Sequence, residues 1–384
     1  MLLGAFYEGL ELHREDRIIY ARFLVPHRVV STCRAAGGLR EDLEYVYNHQ
    51  SCEPAGHLTA HASQAWRDVE GYRRLVAEPN GLPPERCATL GTAANMHNAC
   101  LAVESFRAHQ VVAIATGGVE GNAGRVGDPA SLYEADGEHQ QIAPPEPPAA
   151  GTINTMLFFS QELTPGALVR SIVTATEAKT AALQELNVNS LYSAGLATGT
   201  GTDQVAAACR LDGVQALTGA GKHSKLGELI GRAVQKAIMG ALALQNRLTP
   251  AGQCAASLHL KRFGGDRATL LAGVQVRLAP ELAALAAHNF NVIDRDPPTV
   301  AAMAALVHLW DKLTWGVLPA SCRGEILASQ AAQVAVAVSG RGQDWADYRR
   351  RLAPAPADGS PAALVDLACR ALALGFAAKW PPEA

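Results

Sequence analysis

No CxxC pair occurs among the eight cysteines of this chain, which stand apart at Cys33, Cys52, Cys87, Cys100, Cys209, Cys254, Cys322 and Cys369. Cysteines scattered in this way argue against both a zinc framework and a disulfide scaffold. Charge is sparse too. With 18 % charged residues and a formal net charge of -3, the chain offers no broad basic face and no acidic tail, so nucleic acid is not an expected partner. No uninterrupted apolar run reaches the roughly 18 residues of a membrane span, and the opening Met-Leu-Leu-Gly-Ala-Phe-Tyr-Glu has neither the basic region nor the apolar stretch of a signal peptide. These absences together lead us to expect a soluble, cytoplasmic protein.

What is present is apolar substance and length. At 384 residues and 48 % hydrophobic, the chain can bury a large core and has room for two domains. We place their boundary near residue 248, with residues 249–384 as a mainly helical extension. The expected class is α/β or α+β, a mixed β-sheet core with packed helices. Up to about residue 140 the pattern alternates strand-like and helical pieces, and Val111-Val112-Ala113-Ile114-Ala115 reads as a buried strand. Pro144, Pro145, Pro147 and Pro148 mark an exposed connection. Ile153 to Phe159 reads as a strand, and Thr164-Pro165 supplies an N-cap followed by proline at the first helical position. That helix should run to about Leu186. Leu191 to Ala197 and Val205 to Cys209 are expected strands. A further helix begins near Ser224, with Leu226, Ile230, Ala233, Val234, Ala237, Ile238 and Ala241 on its buried face and Glu228 and Arg232 exposed. Beyond Pro250, helices are expected over Pro280–Asn289, Thr299–Trp315, Arg323–Val338 and Pro361–Leu374.

Four polar runs interrupt the apolar background: Gly151-Thr152-Ile153-Asn154-Thr155, Ala175-Thr176-Glu177-Ala178-Lys179-Thr180, Ala197-Thr198-Gly199-Thr200-Gly201-Thr202-Asp203 and His223-Ser224-Lys225-Leu226-Gly227-Glu228-Leu229-Ile230-Gly231. A buried polar group costs about 1–3 kcal/mol unless it is paired, so such runs are better placed to line a site than to fill a core. Two simpler motifs fail. A P-loop ending at Gly221-Lys222 would need glycine where Ala216 stands and Ser or Thr where His223 stands. His57 and His61 are four residues apart, with Cys52 nearby, but no Glu follows His57 as the metalloprotease signature requires. No metal ligand set is therefore expected. Thr152 and Thr155 should face opposite ways on a strand. Glu177 and Lys179, two apart on a helix, should not share a face.

In order and spacing, the four runs resemble the adenosylcobinamide amidohydrolase family of cobamide salvage. Gly37-Gly38-Leu39-Arg40, Asn48, Thr116-Gly117-Gly118-Val119-Glu120-Gly121-Asn122-Ala123 and Gly127-Asp128 extend the resemblance over about residues 15 to 245. Gly117 departs from the family's commoner Thr-Ala-Gly-Val. The resemblance implies hydrolysis of the amide joining a corrin propionyl side chain to aminopropanol, giving adenosylcobyric acid. The implied partner is thus a small-molecule corrinoid, whose cobalt arrives within the substrate, so no protein-bound cofactor is required. A homo-oligomer is compatible with the sequence.

Amide hydrolysis needs a nucleophile, donors for the oxyanion and an acid for the departing amine. Within the resemblance we assign catalysis to Thr155, Lys179, His223 and Asp203. Substrate binding is assigned to Thr116, Gly117, Gly118, Asn122, Asp128, Thr152, Asn154, Glu177, Thr200, Thr202, Ser224 and Lys225. Oxyanion donors are expected from the amides of 116–118 or 198–200. Two alternatives stand beside this: a corrinoid-binding protein without catalysis, and a threonine-type acyltransferase or peptidase. The latter follows from a likeness of layout to ornithine acetyltransferases and self-cleaving aminopeptidases, in which cutting before the threonine frees its activating amine.

Overall fold

A computed structural model describes residues 1–51, 68–142, 151–212, 215–356 and 358–380. The His57, His61 and Cys52 group and the prolines Pro144, Pro145, Pro147 and Pro148 lie outside the described residues. The chain divides into two compact units, Met1–Leu248 and Thr249–Ala384.

The first unit opens with β1 (Leu2–Phe6), β2 (Leu10–Glu15), β3 (Ile18–Phe23), β4 (His27–Ser31), β5 (Gly38–Arg40) and β6 (Tyr45–Gln50). Helix α1 (Val69–Ala77) leads to β7 (Cys87–Thr92), β8 (Cys100–Phe106), β9 (His109–Gly117) and the short strands β10 (Ala123–Gly124), β11 (Leu132–Ala135) and β12 (Glu138–Gln141). After these come β13 (Ile153–Phe159), α2 (Pro165–Glu185), β14 (Gly199–Thr200), β15 (Gln204–Arg210) and α3 (Lys225–Asn246). The amino-terminal part is thus mainly strands, where an alternation of strands and helices was expected. Antiparallel neighbours such as β1–β2, β2–β3 and β8–β9 need only tight turns between them.

Two sheets stack. One has the order β1-β2-β3-β6-β7 and the other β5-β4-β15-β13-β9-β8. In the larger sheet only β13 and β15 run parallel, and α2 lies in the crossover between them. Because β13 is central, both its faces are covered. Ile153, Leu157 and Phe159 join the core beneath α2 and α3, whereas Met156 and Phe158 join the core between the sheets. This explains its nearly continuous apolar sequence. A third cluster of Ile18, Tyr47, Tyr72, Val76 and Leu82 seats α1 on the far face of the smaller sheet.

The two long helices are fixed by their ends and stripes. Thr164 accepts from the Ala167 amide ahead of Pro165, and Ser224 accepts from the Gly227 amide. Gly227 itself is obligatory: a Cβ there would stand 2.0 Å from the Gly221 carbonyl oxygen. Along α3, Leu226, Ile230, Ala233, Val234, Ala237, Ile238 and Ala241 are buried, each larger side chain contributing roughly 1.5–3 kcal/mol. On the exposed side, Glu228 and Arg232 pair at 3.0 Å.

One expected strand is absent. Leu191 to Ala197 forms an irregular loop with a single isolated bridge, Asn189 to Leu196. Here the Tyr192 amide donates to Ser190 Oγ (3.1 Å) and the Gly195 amide to Ser193 Oγ (3.3 Å). Such local side-chain acceptors compete with a ladder for backbone donors.

The second unit is helical. Its principal helices are α4 (Pro250–Gln253), α5 (Ala256–Leu260), α6 (Arg267–Gln275), α7 (Pro280–Asn289), α8 (Asn291–Asp294), α9 (Pro297–Thr314), α10 (Arg323–Ser339), α11 (Trp345–Leu352) and α12 (Pro361–Lys379). By length and composition α12 could cross a membrane, yet half of its apolar window is buried. Leu364, Leu367, Leu372 and Phe376 on α12 are buried, and α10 packs against both α12 and α9. This is the behaviour of a core helix.

Candidate active site

Strand β13 organises the site because neighbouring residues on it face different layers. Its register sets Asn154 opposite Thr116 of β9 and Gln204 of β15. Asn154 points between the sheets, where Nδ2 donates to Asn48 Oδ1 (2.9 Å) and to the Gly91 carbonyl (2.8 Å). Asn48 Nδ2 in turn donates to Thr116 Oγ1 at 2.8 Å. The Gln204 side chain accepts from the Gly91 amide at 3.0 Å. A chain of satisfied amides thus ties the two sheets together at one end of an otherwise apolar interface.

On that same end the loops converge. Thr152 Oγ1 donates to the Thr202 carbonyl (2.8 Å), and the Gly118 amide donates to the Thr152 carbonyl (2.9 Å). Asn122 Nδ2 donates to the Gly151 carbonyl (3.0 Å) and Thr202 Oγ1 (3.4 Å), while Tyr192 donates its hydroxyl to Asn122 Oδ1 (2.9 Å). Gly151 is required by this crowding, since a Cβ would lie 2.9 Å from the Gly118 carbonyl oxygen and 3.1 Å from the Asn122 amide. The last turn of α3 holds the glycine turn from behind: Leu242 packs where a Gly117 Cβ would stand, and Asn246 Oδ1 accepts from the Val119 amide at 3.3 Å.

Asp203, just ahead of β15, is the most heavily bonded group. Oδ1 accepts from the Ile153 amide (2.8 Å) and Thr200 Oγ1 (2.6 Å), and Oδ2 accepts from the Thr200 amide (3.0 Å) and from the Lys179 ammonium. The Lys179 and Asp203 side chains are only 12 % and 11 % exposed. Four donors occupy the roughly four lone-pair positions of a carboxylate, so Asp203 is an anchor for Lys179 and for the threonine turn. Gly199 makes room for the pair: its Cβ would fall 2.4 Å from Asp203 Oδ2 and 2.8 Å from Lys179 Nζ.

Thr155 differs from its companions. It is 2 % exposed, and alternation along β13 turns it toward the layer of α2 and α3. The hydroxyls of Thr152, Thr176, Thr180, Thr198, Thr200, Thr202 and Ser224 all have hydrogen-bond partners. Among the described residues, that of Thr155 has none.

Other expected site residues are engaged in contacts of their own. Glu177 pairs with Lys222 at 3.1 Å on the exposed side of α2. His223 is exposed, Ser224 is spent as the helix cap, and Lys225 pairs with Glu228 and covers the Phe106 ring at 4.8 Å. Lys225 precedes Leu242 by 17 residues of continuous helix, about 25 Å along the axis, so this run lies far from Gly117. Asp128 braces loops: it accepts from the Arg125 amide (2.7 Å) and Ser190 Oγ (2.6 Å). Burial disfavours its carboxylate, but the bonds from Ser190, Ser193 and Arg125 outweigh this and hold it below the usual carboxylate range. The amides of Gly118, Thr198 and Thr200, expected as oxyanion donors, are already engaged by the Thr152 carbonyl, the Gly124 carbonyl and Asp203. Sequence reasoning gave no part to Tyr192, Gln204 or Asn246, whose partners are remote along the chain.

An uncharacterized protein of Methanocaldococcus jannaschii is 35 % identical over 244 residues, 61 % of this chain and 89 % of that protein. The crystal structure of the PH0078 protein from Pyrococcus horikoshii OT3 aligns over 62 % of this chain and 83 % of that one, with 10 % identity and a TM-score of 0.32, a likeness too slight to bear on fold or activity. The profile described as adenosylcobinamide amidohydrolase matches residues 4–250. Nearly the whole first unit is covered, and the chain belongs to the adenosylcobinamide amidohydrolase family.

Proposed function

We propose that the first unit hydrolyses the amide between the corrin propionyl side chain and aminopropanol of adenosylcobinamide, releasing aminopropanol and leaving adenosylcobyric acid. The observation that carries this reading is the buried Thr155 hydroxyl, without a partner among the described residues, two residues along β13 from the Ile153 amide that Asp203 holds together with Lys179, in a chain of this family. The Thr155 hydroxyl attacks the carbonyl carbon, its proton replacing the one given to the departing amine and a water then cleaving the resulting ester to the free acid, or it orients the water that attacks directly. Lys179, held in place by Asp203, stabilises the oxyanion and supplies a proton to the departing amine. Asp203 has no lone pair to spare for the substrate, and His223 has no part in the reaction. Asn122, Thr200 and Thr202 take the corrin's peripheral amides. Cobalt belongs to the substrate.

The test is incubation with adenosylcobinamide and mass spectrometry of the corrinoid. Wild type should yield adenosylcobyric acid, and Thr155→Ala should be slower by about a hundredfold or more. Corrinoid binding without aminopropanol release by the wild type would remove the hydrolase reading.

A further inference from the structure

Beside the polar cluster, two loops hold large apolar side chains out to solvent. Val126 is 81 % exposed, Leu191 48 % and Tyr192 38 %. Single exposed apolar residues are ordinary, but a group next to a site marks a contact surface. Their backbones are brought side by side: the Leu191 amide donates to the Ala123 carbonyl (2.9 Å), the Thr198 amide to the Gly124 carbonyl (2.9 Å) and the Val126 amide to Thr198 Oγ1 (2.8 Å). Gly124 lies against the Tyr192 ring, where a Cβ would be 3.4 Å from Cδ2. Asp128 joins the loops through Ser190, and Arg125 reaches the Leu196 carbonyl at 3.3 Å. An irregular segment is thereby held in one shape by side-chain bonds, which is the economical way to present a surface before a ligand arrives.

The Tyr192 hydroxyl also bonds Asn122, so the apolar group is continuous with the amides and hydroxyls around Gly151. We propose that Val126, Leu191 and Tyr192 form a platform for the apolar face of a broad macrocycle fringed with carboxamides, Asn122 and Thr202 meeting that fringe. For the identity of the ring as corrin, this rests on the hydrolase reading above. Apolar surface bordered by amide donors and acceptors matches a ring of that chemistry and does not match a small free amine or a phosphorylated ligand.

Three variants test it on the full chain: Tyr192→Phe, Tyr192→Ala, and Val126→Ser combined with Leu191→Ser, each checked for folding by circular dichroism. Adenosylcobinamide binding is titrated by corrin absorbance, and aminopropanol release is measured separately. The platform predicts dissociation constants raised about tenfold or more for Tyr192→Ala and for the double variant. Tyr192→Phe, which keeps the ring, should lose far less. A simple propionamide of aminopropanol should be handled alike by wild type and variants. Folded variants that bind adenosylcobinamide within twofold of wild type overturn the platform while leaving the hydrolase reading intact. Wild-type binding without hydrolysis, weakened by these variants, retires the hydrolase and keeps the platform. Failure of the wild type to bind overturns both.

Discussion

Replacing Asp203 by asparagine should be far from conservative. The carboxylate receives donors on both oxygens, Ile153 N and Thr200 Oγ1 on one side, Thr200 N and Lys179 Nζ on the other. Asparagine must turn an NH2 group toward one of these pairs. Its better orientation faces Ile153 and Thr200 Oγ1, because a hydroxyl can rotate to accept whereas the Ile153 amide cannot. One buried amide is then left without an acceptor, at about 1–3 kcal/mol, and Lys179 loses its counter-charge. Breaking a buried pair from one side costs about 3–5 kcal/mol; with Lys179 still 12 % exposed and able to recruit water, we expect about 3 kcal/mol. Lys179→Met should cost less, since three donors continue to satisfy the carboxylate. Urea unfolding followed by far-ultraviolet circular dichroism should shift by about 1 M or more for Asp203→Asn. Tryptophan fluorescence is the internal control, because four of the five tryptophans, Trp310, Trp315, Trp345 and Trp380, lie in the second unit. If Asp203→Asn stays within 1 kcal/mol of wild type, or if Lys179→Met is the more damaging of the two, the anchoring role is wrong.

Other outcomes can be checked independently. His27 is fully buried, donates Nδ1–H to the Val25 carbonyl (2.8 Å) and accepts from Tyr7 (3.2 Å); desolvation drops its pKa from 6.5 to about 4. The folded state therefore resists a proton that the unfolded chain takes, so stability from this group is complete above pH 6.5 and falls as pH drops, by about 2 kcal/mol at pH 5 and about 3 at pH 4. His27→Gln should flatten the stability profile in that window, and an unchanged slope would refute the assignment. Asn154 and Thr155 both sit inside a strand paired on each side, so freshly purified protein should give a single mass near 40.4 kDa; two fragments meeting at Thr155 would establish self-cleavage. A fragment ending at Leu248, which packs into the first core, should be soluble and retain aminopropanol release, and a folded but inactive fragment would show that the second unit contributes to the site.

Features that depend on local chemistry were legible in the sequence. Thr164 before Pro165 and Ser224 before the α3 stripe fixed two helix starts, the helix at Pro361 follows from its Ser360 cap and proline, and that at Pro280 from its proline alone. Strand β13 was readable from its apolar run. What was hidden is pairing across distance. Asn48 and Asn154 are 106 residues apart, and Val119 and Asn246 are 127 apart; no spacing rule joins them. Leu191 to Ala197 reads as a strand from its apolar and aromatic residues, yet Ser190 and Ser193 capture nearby amides and hold it as a loop. Likewise, His223, Ser224 and Lys225 stand in one linear motif with the glycine turn's other partners, yet the length of α3 sets them far from Gly117.

The two faces of β13 give the Gly151–Thr155 segment an unusual sensitivity to length. Asn154 serves the seam between the sheets and Thr155 the helical layer, with a single peptide bond between these duties. Deleting or inserting one residue before the strand would reverse every side chain on it, placing an amide beneath the helices and a hydroxyl among Asn48, Thr116 and the Gly91 carbonyl. Substitutions here can be graded in severity, but a change of length would exchange the two halves of the site at once. In engineering this region, the count of residues between Gly151 and Thr155 must be preserved before their identities are considered.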